Sequence, residues 1–253
     1  ASGKRIMNLR IYLTVFLLAT LFSQPESYAA DKKLSLAAAE YPPYYGEHLP
    51  NYGPVTEIIV KAFNKVNYEV SVSFYPWLRG EILAKEGVHD GMIPPWRTKA
   101  REAYFAFSEP LFPNELYFYK HKNTHAVFSK QSDLKAYKIG TVRGYANPDW
   151  FAEEGLTLEE VSLDLHNLTK LAVGRIDLVL IDKKVAEFLI NTEIPEHKNN
   201  LERIEPALES RMQYLTLSKK TDNYTKKLAD FNKGLKLLKA SGEYDKILSK
   251  LDL

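Results

Sequence analysis

Apolar residues along this chain switch repeatedly between a period of two and a period near 3.6. Lys33–Ala39 reads as a first strand that runs into a Pro- and Tyr-rich turn, EYPPYYGE (40–47). After Gly53-Pro54, residues Val55, Ile58, Ile59, Ala62, Phe63 and Val66 recur at helical spacing, with Pro placed where a first helical turn accepts it. Val70, Val72 and Phe74 alternate as in a strand. A short helix is expected from about Pro76, and Val88–Ile93 gives a third strand. Further on, Glu115–His121 (ELYFYKH) is an aromatic strand followed by a polar stretch to Asp133. The alternation then restarts: strand Tyr137–Val142, helix Pro148–Glu154, helix Asp164–Val173, strand Asp177–Ile181. Arg211–Leu217 is one more strand, and Asp222–Leu253 is helical with Gly242 dividing it.

Strands alternating with helices predict an α/β protein with mostly parallel sheet. Two successive β/α runs predict two lobes, 31–117 plus 215–253 and 118–214, each with its own sheet. The strands near 117 and 214 are the expected crossings, so the ligand cleft would lie between the lobes.

Residues 1–30 stand apart. Lys4, Arg5 and Arg10 precede a mostly apolar run from Ile11 to Phe22, too short to span a bilayer, and small residues Ser27 and Ala29 follow. This reads as a secretory signal peptide, with a membrane anchor as the alternative. Met7 reads as the natural start, which would make residues 1–6 an added remnant, and cleavage is expected after Ala29 or Ala30. The full chain has 34 basic and 32 acidic residues; removing residues 1–29 takes away three basic residues and one acid, leaving 31 of each and a net charge of zero. The charge balance therefore gives no reason to expect nucleic-acid binding. With no cysteine, disulfides, thiolate metal sites and cysteine nucleophiles are excluded. The six histidines show no metal-ligand spacing, and neither a Gly-x-Ser-x-Gly elbow nor a phosphate loop occurs.

Four ordered segments carry a resemblance. YPPY (41–44) follows the first strand. DGMIPPWRTKAR (90–101) ends a strand and precedes FSEPL (107–111). KIGTVRG (138–144) turns from strand to helix, and GRIDLVLID (174–182) closes a buried strand with an acid. Together they resemble family 3 of the bacterial extracellular solute-binding proteins, the polar amino-acid receptors of ABC transporters, over about residues 33–250. The resemblance implies a two-lobed, periplasmic-binding-protein-like (type II) fold. It also implies a small polar ligand, no cofactor, no catalysis, a monomer, and a membrane permease or sensor as partner.

The same resemblance assigns roles residue by residue. Arg101, in Thr98-x-x-Arg101, would clamp a ligand carboxylate with its two-pronged guanidinium; otherwise it is a surface residue on a short helix. Tyr41 would lie over the ligand or pack on the neighbouring prolines. Trp77 and Trp96 would flank the cleft or fill core. Arg79 would face cleft or solvent. Asp182 would hold a ligand ammonium, cap the helix beginning near Lys183, or do both. Tyr145 stands where the family commonly has a short hydroxyl residue, and Trp96 near another such place. Segment 90–101 is also one residue short. These departures point away from a standard α-amino acid, toward a smaller, flatter or unusual ligand.

Three functions compete: an uptake receptor, a binder reporting to a membrane sensor, and an enzyme resembling the periplasmic dehydratases of cyclohexadienyl acids. The enzyme would need a carboxylate or His general acid in the cleft.

Overall fold

The structure is a computed structural model and describes residues 32–126 and 128–251. The expected leader over 1–30 lies outside the described residues.

Eight strands form the frame: β1 (Lys32–Ala38), β2 (Tyr68–Phe74), β3 (Gly91–Met92), β4 (Phe105–His121), β5 (Lys138–Val142), β6 (Thr157–Val161), β7 (Leu178–Asp182) and β8 (Leu201–Ser218). They lie in the order β2-β1-β3-β8-β4-β7-β5-β6 in one sheet. β1 pairs parallel with β3, and β5 pairs parallel with β6 and β7. The expectation of a separate sheet for each run is overturned. β4 and β8 are 17 and 18 residues long and pair antiparallel from Phe105↔Ser218 to His121↔Leu201, so a continuous ladder joins the two halves. The sequence hid this, because each strand crosses prolines (Pro110 and Pro113 in β4, Pro206 in β8) that end a strand pattern on paper. In space the ladder accommodates them with register shifts at Phe107/Pro110, Pro110/Pro113 and Leu116/Phe118. The sheet is consequently mixed rather than mostly parallel.

Helices follow the predicted spacing. α1 (Pro54–Asn64) starts with Pro at its first turn and buries Val55, Ile58, Ile59, Ala62 and Phe63. α2 (Trp77–Lys85), α3 (Lys99–Glu102), α4 (Trp150–Glu153), α5 (Asp164–Ala172) and α6 (Lys183–Thr192) come next. α7 (Tyr224–Ala240) and α8 (Glu243–Leu248) follow, separated at Gly242, which takes φ +76°. α7 packs on α1: Phe231 and Phe63 are fully buried with ring centroids 4.9 Å apart. A Cβ added at Gly234 would stand 1.9 Å from the Ala62 carbonyl oxygen, so only glycine permits that approach. Each buried Phe or Leu in such a contact contributes about 1.5–3 kcal/mol. The described residues from Lys33 onward form one compact unit.

Candidate functional site

The ends of β1 and β3, the start of α2 and the turn after β5 converge on one cavity of about 20 Å³. Its lining is Tyr41, Tyr45, Trp77, Pro94, Trp96, Arg101, Tyr145, Ala146 and Gln213. Such a volume is room for about one water, far below the ~300 Å³ at which ligand pockets usually begin, so the walls must part to admit a ligand. Placement beyond strand ends explains the convergence, since that is where an open α/β sheet leaves a crevice.

Five of the six sequence-derived candidates meet here: Tyr41, Trp77, Trp96, Arg101 and Tyr145. Tyr145 is the centre of the ring cluster. Trp77 meets it edge-on at 5.4 Å and 88°, Trp96 at 6.0 Å and 65°, Tyr41 at 6.3 Å and 76°. Tyr41 also stacks on Tyr44 and Tyr45. Asp182 is not among the lining residues. It is 1% exposed and its carboxylate accepts from Val185 N (3.0 Å), capping α6, from Asn114 Nδ2 (2.9 Å) and from Tyr44 Oη (3.2 Å). Arg79 is exposed, with its guanidinium over the Tyr75 ring.

Arg101 lines the cavity, but four of its five N–H donors are engaged. Thr98 caps the short helix α3 by accepting from Arg101 N, which turns the side chain inward, where it is 4% exposed. Nε donates to Glu81 Oε1 (2.8 Å) and Nη2 to Glu81 Oε2 (3.3 Å), a two-pronged buried ion pair. Nη2 also donates to the Gly144 carbonyl and Nη1 to the Trp96 carbonyl, both at 3.1 Å. The Trp77 indole donates to the same Gly144 oxygen at 3.0 Å. Gly144 takes φ +83°, which glycine adopts without strain.

Sequence reasoning missed Glu81, Gln213, Asn114, Asp164 and Tyr45. Glu81 was findable: it stands four residues after Trp77, on the same face of a helix. Gln213 shares its strand face with Leu215 and Leu217, so a polar residue in an apolar stripe was the signal. With its amide oxygen toward Trp96 Nε1 (2.5 Å), Gln213 also donates to the Pro94 carbonyl (2.7 Å). Asp164 accepts from Tyr145 Oη at 2.9 Å and is 6% exposed. Burial, aided by the nearby Asp182 charge, pushes its carboxyl up to about 7. Burial raises the Asp182 carboxyl too, while the hydrogen bonds it accepts oppose the rise. The phenols of Tyr41 and Tyr145 are driven well above their ordinary range, first by burial and then by these carboxylates, so they remain neutral donors. Tyr41 Oη is buried without a hydrogen-bond partner. Among the described residues no cluster of three or more His, Cys, Asp or Glu is placed to hold a metal.

No family model matches the chain, and no curated protein matches it. Solved structures do. A histidine kinase sensor domain with similarity to periplasmic binding proteins superposes at TM-score 0.77, 18% identity, over 87% of this chain and 96% of its own. An ancestral arginine-binding protein bound to arginine gives 0.75, 20%, 87% and 98%. The GluR0 ligand-binding core from Nostoc punctiforme with L-glutamate gives 0.72, 21%, 86% and 98%. The chain thus has a periplasmic-binding-protein-like α/β fold.

Proposed function

We propose that this chain is a periplasmic solute-binding protein that captures a small polar ligand, an amino acid or a relative of one, for an ABC-type uptake system. The observation that carries this reading is the cavity itself. Tyr41 to Arg101 supply one wall, Tyr145 and Ala146 face them from the second β/α run, and Gln213 closes it from the return strand. That is where a hinged receptor would hold its ligand, between lobes at 31–117 plus 215–253 and 118–214. Several superposable structures are amino-acid binders by name, which fits the same ligand scale. The basic-apolar-small pattern of residues 1–30 supports export, and no helix among the described residues is long and apolar enough to cross a membrane. Binding rather than catalysis fits the site, because its acids are engaged: Glu81 by Arg101, Asp164 by Tyr145, Asp182 by Tyr44, Asn114 and a helix start.

A thermal-shift panel of amino acids, polyamines and small carboxylates tests the reading. A ligand at 100 times its Kd should add about 2.7 kcal/mol of stability. A flat response to the whole panel would reject it for this ligand class. A second reading, a ligand-binding module serving a membrane sensor, is favoured by the match to a kinase sensor domain. A permease and ATPase encoded beside the chain would select transport over sensing.

A further inference from the structure

We infer that the ligand is a methylated ammonium ion, held by ring faces rather than by a carboxylate clamp; this rests on the binding-protein reading above and names the chemistry of its site.

The first ground is the lining. Five of nine residues are aromatic, and no carboxylate oxygen is among them. Ring faces attract a cation through their quadrupole. Two of these rings already do so, with Arg101 Cζ 5.3 Å from the Trp77 centroid and Arg211 Cζ 5.0 Å from that of Trp96.

The second ground is charge. Both guanidiniums are compensated, Arg101 by Glu81 at 2.8 Å and Arg211 by Glu209 at 2.6 Å. Asp164 and Asp182 are not: among the described residues neither has a cationic partner, although both are buried. They bear on the cavity walls through phenols, Asp164 through Tyr145 and Asp182 through Tyr44, which stacks on Tyr41. A buried carboxyl without a counter-ion is driven toward its protonated form, as both of these are, and a cation in the adjoining cavity would favour the ionised form instead.

The third ground is hydrogen bonding. A primary ammonium brings three N–H donors that want three acceptors, whereas the only side-chain oxygen of this lining found buried without a partner among the described residues is Tyr41 Oη. A trimethylammonium group brings none, so it loses nothing in a ring-walled space. Tyr41 Oη, buried and without a partner in a residue that lines the cavity, remains for one polar group such as a hydroxyl. An α-carboxylate, by contrast, finds no open fork. One edge of Arg101 is closed by Glu81, the other by the carbonyls of Trp96 and Gly144.

Calorimetry on the purified full chain decides it. The probes are choline, protonated ethanolamine, the neutral isostere of choline with a tert-butyl group in place of trimethylammonium, L-arginine and L-glutamate. Choline should bind at least about tenfold more tightly than ethanolamine and the isostere, and Trp96→Leu, which keeps apolar volume but removes the ring, should weaken choline by about tenfold. Equal binding of the isostere overturns the inference, as does unchanged choline affinity in a Trp96→Leu variant with a normal unfolding midpoint. Tighter binding of either amino acid than of choline overturns it while leaving the receptor reading intact. No binding by any probe or by the wider panel removes both.

Discussion

At the scale of single residues, the pairing of Arg101 with Glu81 changes what substitution there would do. The ion pair is nearly closed to solvent, with side chains 5% and 10% exposed. Removing one partner of such a pair leaves a buried charge uncompensated and costs about 3–5 kcal/mol. Glu81→Ala should lower the urea unfolding midpoint accordingly, and adding Arg101→Ala should recover part of the loss; if the two losses simply add, the pair is not coupled. Asp164 makes a second residue-scale prediction. Its carboxyl is raised to about 7 in the folded chain against an ordinary 3.8. The folded state therefore keeps a proton that the unfolded chain has released, and stability falls as pH rises through that window. Below about 3.8 both states are protonated and the group contributes nothing. Asp164→Asn should flatten the decline between pH 4 and pH 7.5, by up to a few kcal/mol at the upper end, in urea titrations across pH; parallel curves for parent and variant would contradict this. The sequence made Arg101 and Tyr41 visible because strand ends and short motifs locate them. It could not show that Arg101 is already paired, since Glu81 comes from another element and the pair forms only in space.

At the scale of elements, periodicity located the strands and helices with strong apolar stripes, such as α1 and β5. It missed β6, whose Thr157–Val161 is only partly buried and carries two glutamates, and it truncated β4 and β8 at their prolines. It also gave no sign of how closely α7 and α1 approach, because that depends on an absent side chain. Gly234→Ala would place a methyl against the Ala62 carbonyl, and a helix backbone cannot yield as a flexible side chain can. We expect a loss of about 1–3 kcal/mol or more by thermal unfolding, against near-neutrality for Gly155→Ala in stability cost from contact, since that site is sterically open and bears only the strain of its positive φ. Equal losses at the two positions would show that backbone conformation, not contact, governs both.

At the scale of the whole molecule, the long β4–β8 ladder and the shared cavity belong to one mechanical picture. Binding that uses contacts from both β/α runs should favour the closed arrangement, with the register shifts in the ladder as the flexible points. Small-angle scattering should show a smaller radius of gyration at ligand saturation; an unchanged radius would count against closure. The same ladder also fixes an order of events during synthesis. β3 finds its antiparallel neighbour only in β8, through Gly91↔Leu217 and Met92↔Thr216, and α1 waits for α7. The amino-terminal half of the sheet therefore cannot be completed until residues 216–218 have left the ribosome, nor its helical cover until Phe231 has. These non-local pairings carry the slow kinetics of high contact order. A nascent chain cut short at residue 200 would be a half-built sheet with open edges, a form suited to chaperone capture rather than to premature folding.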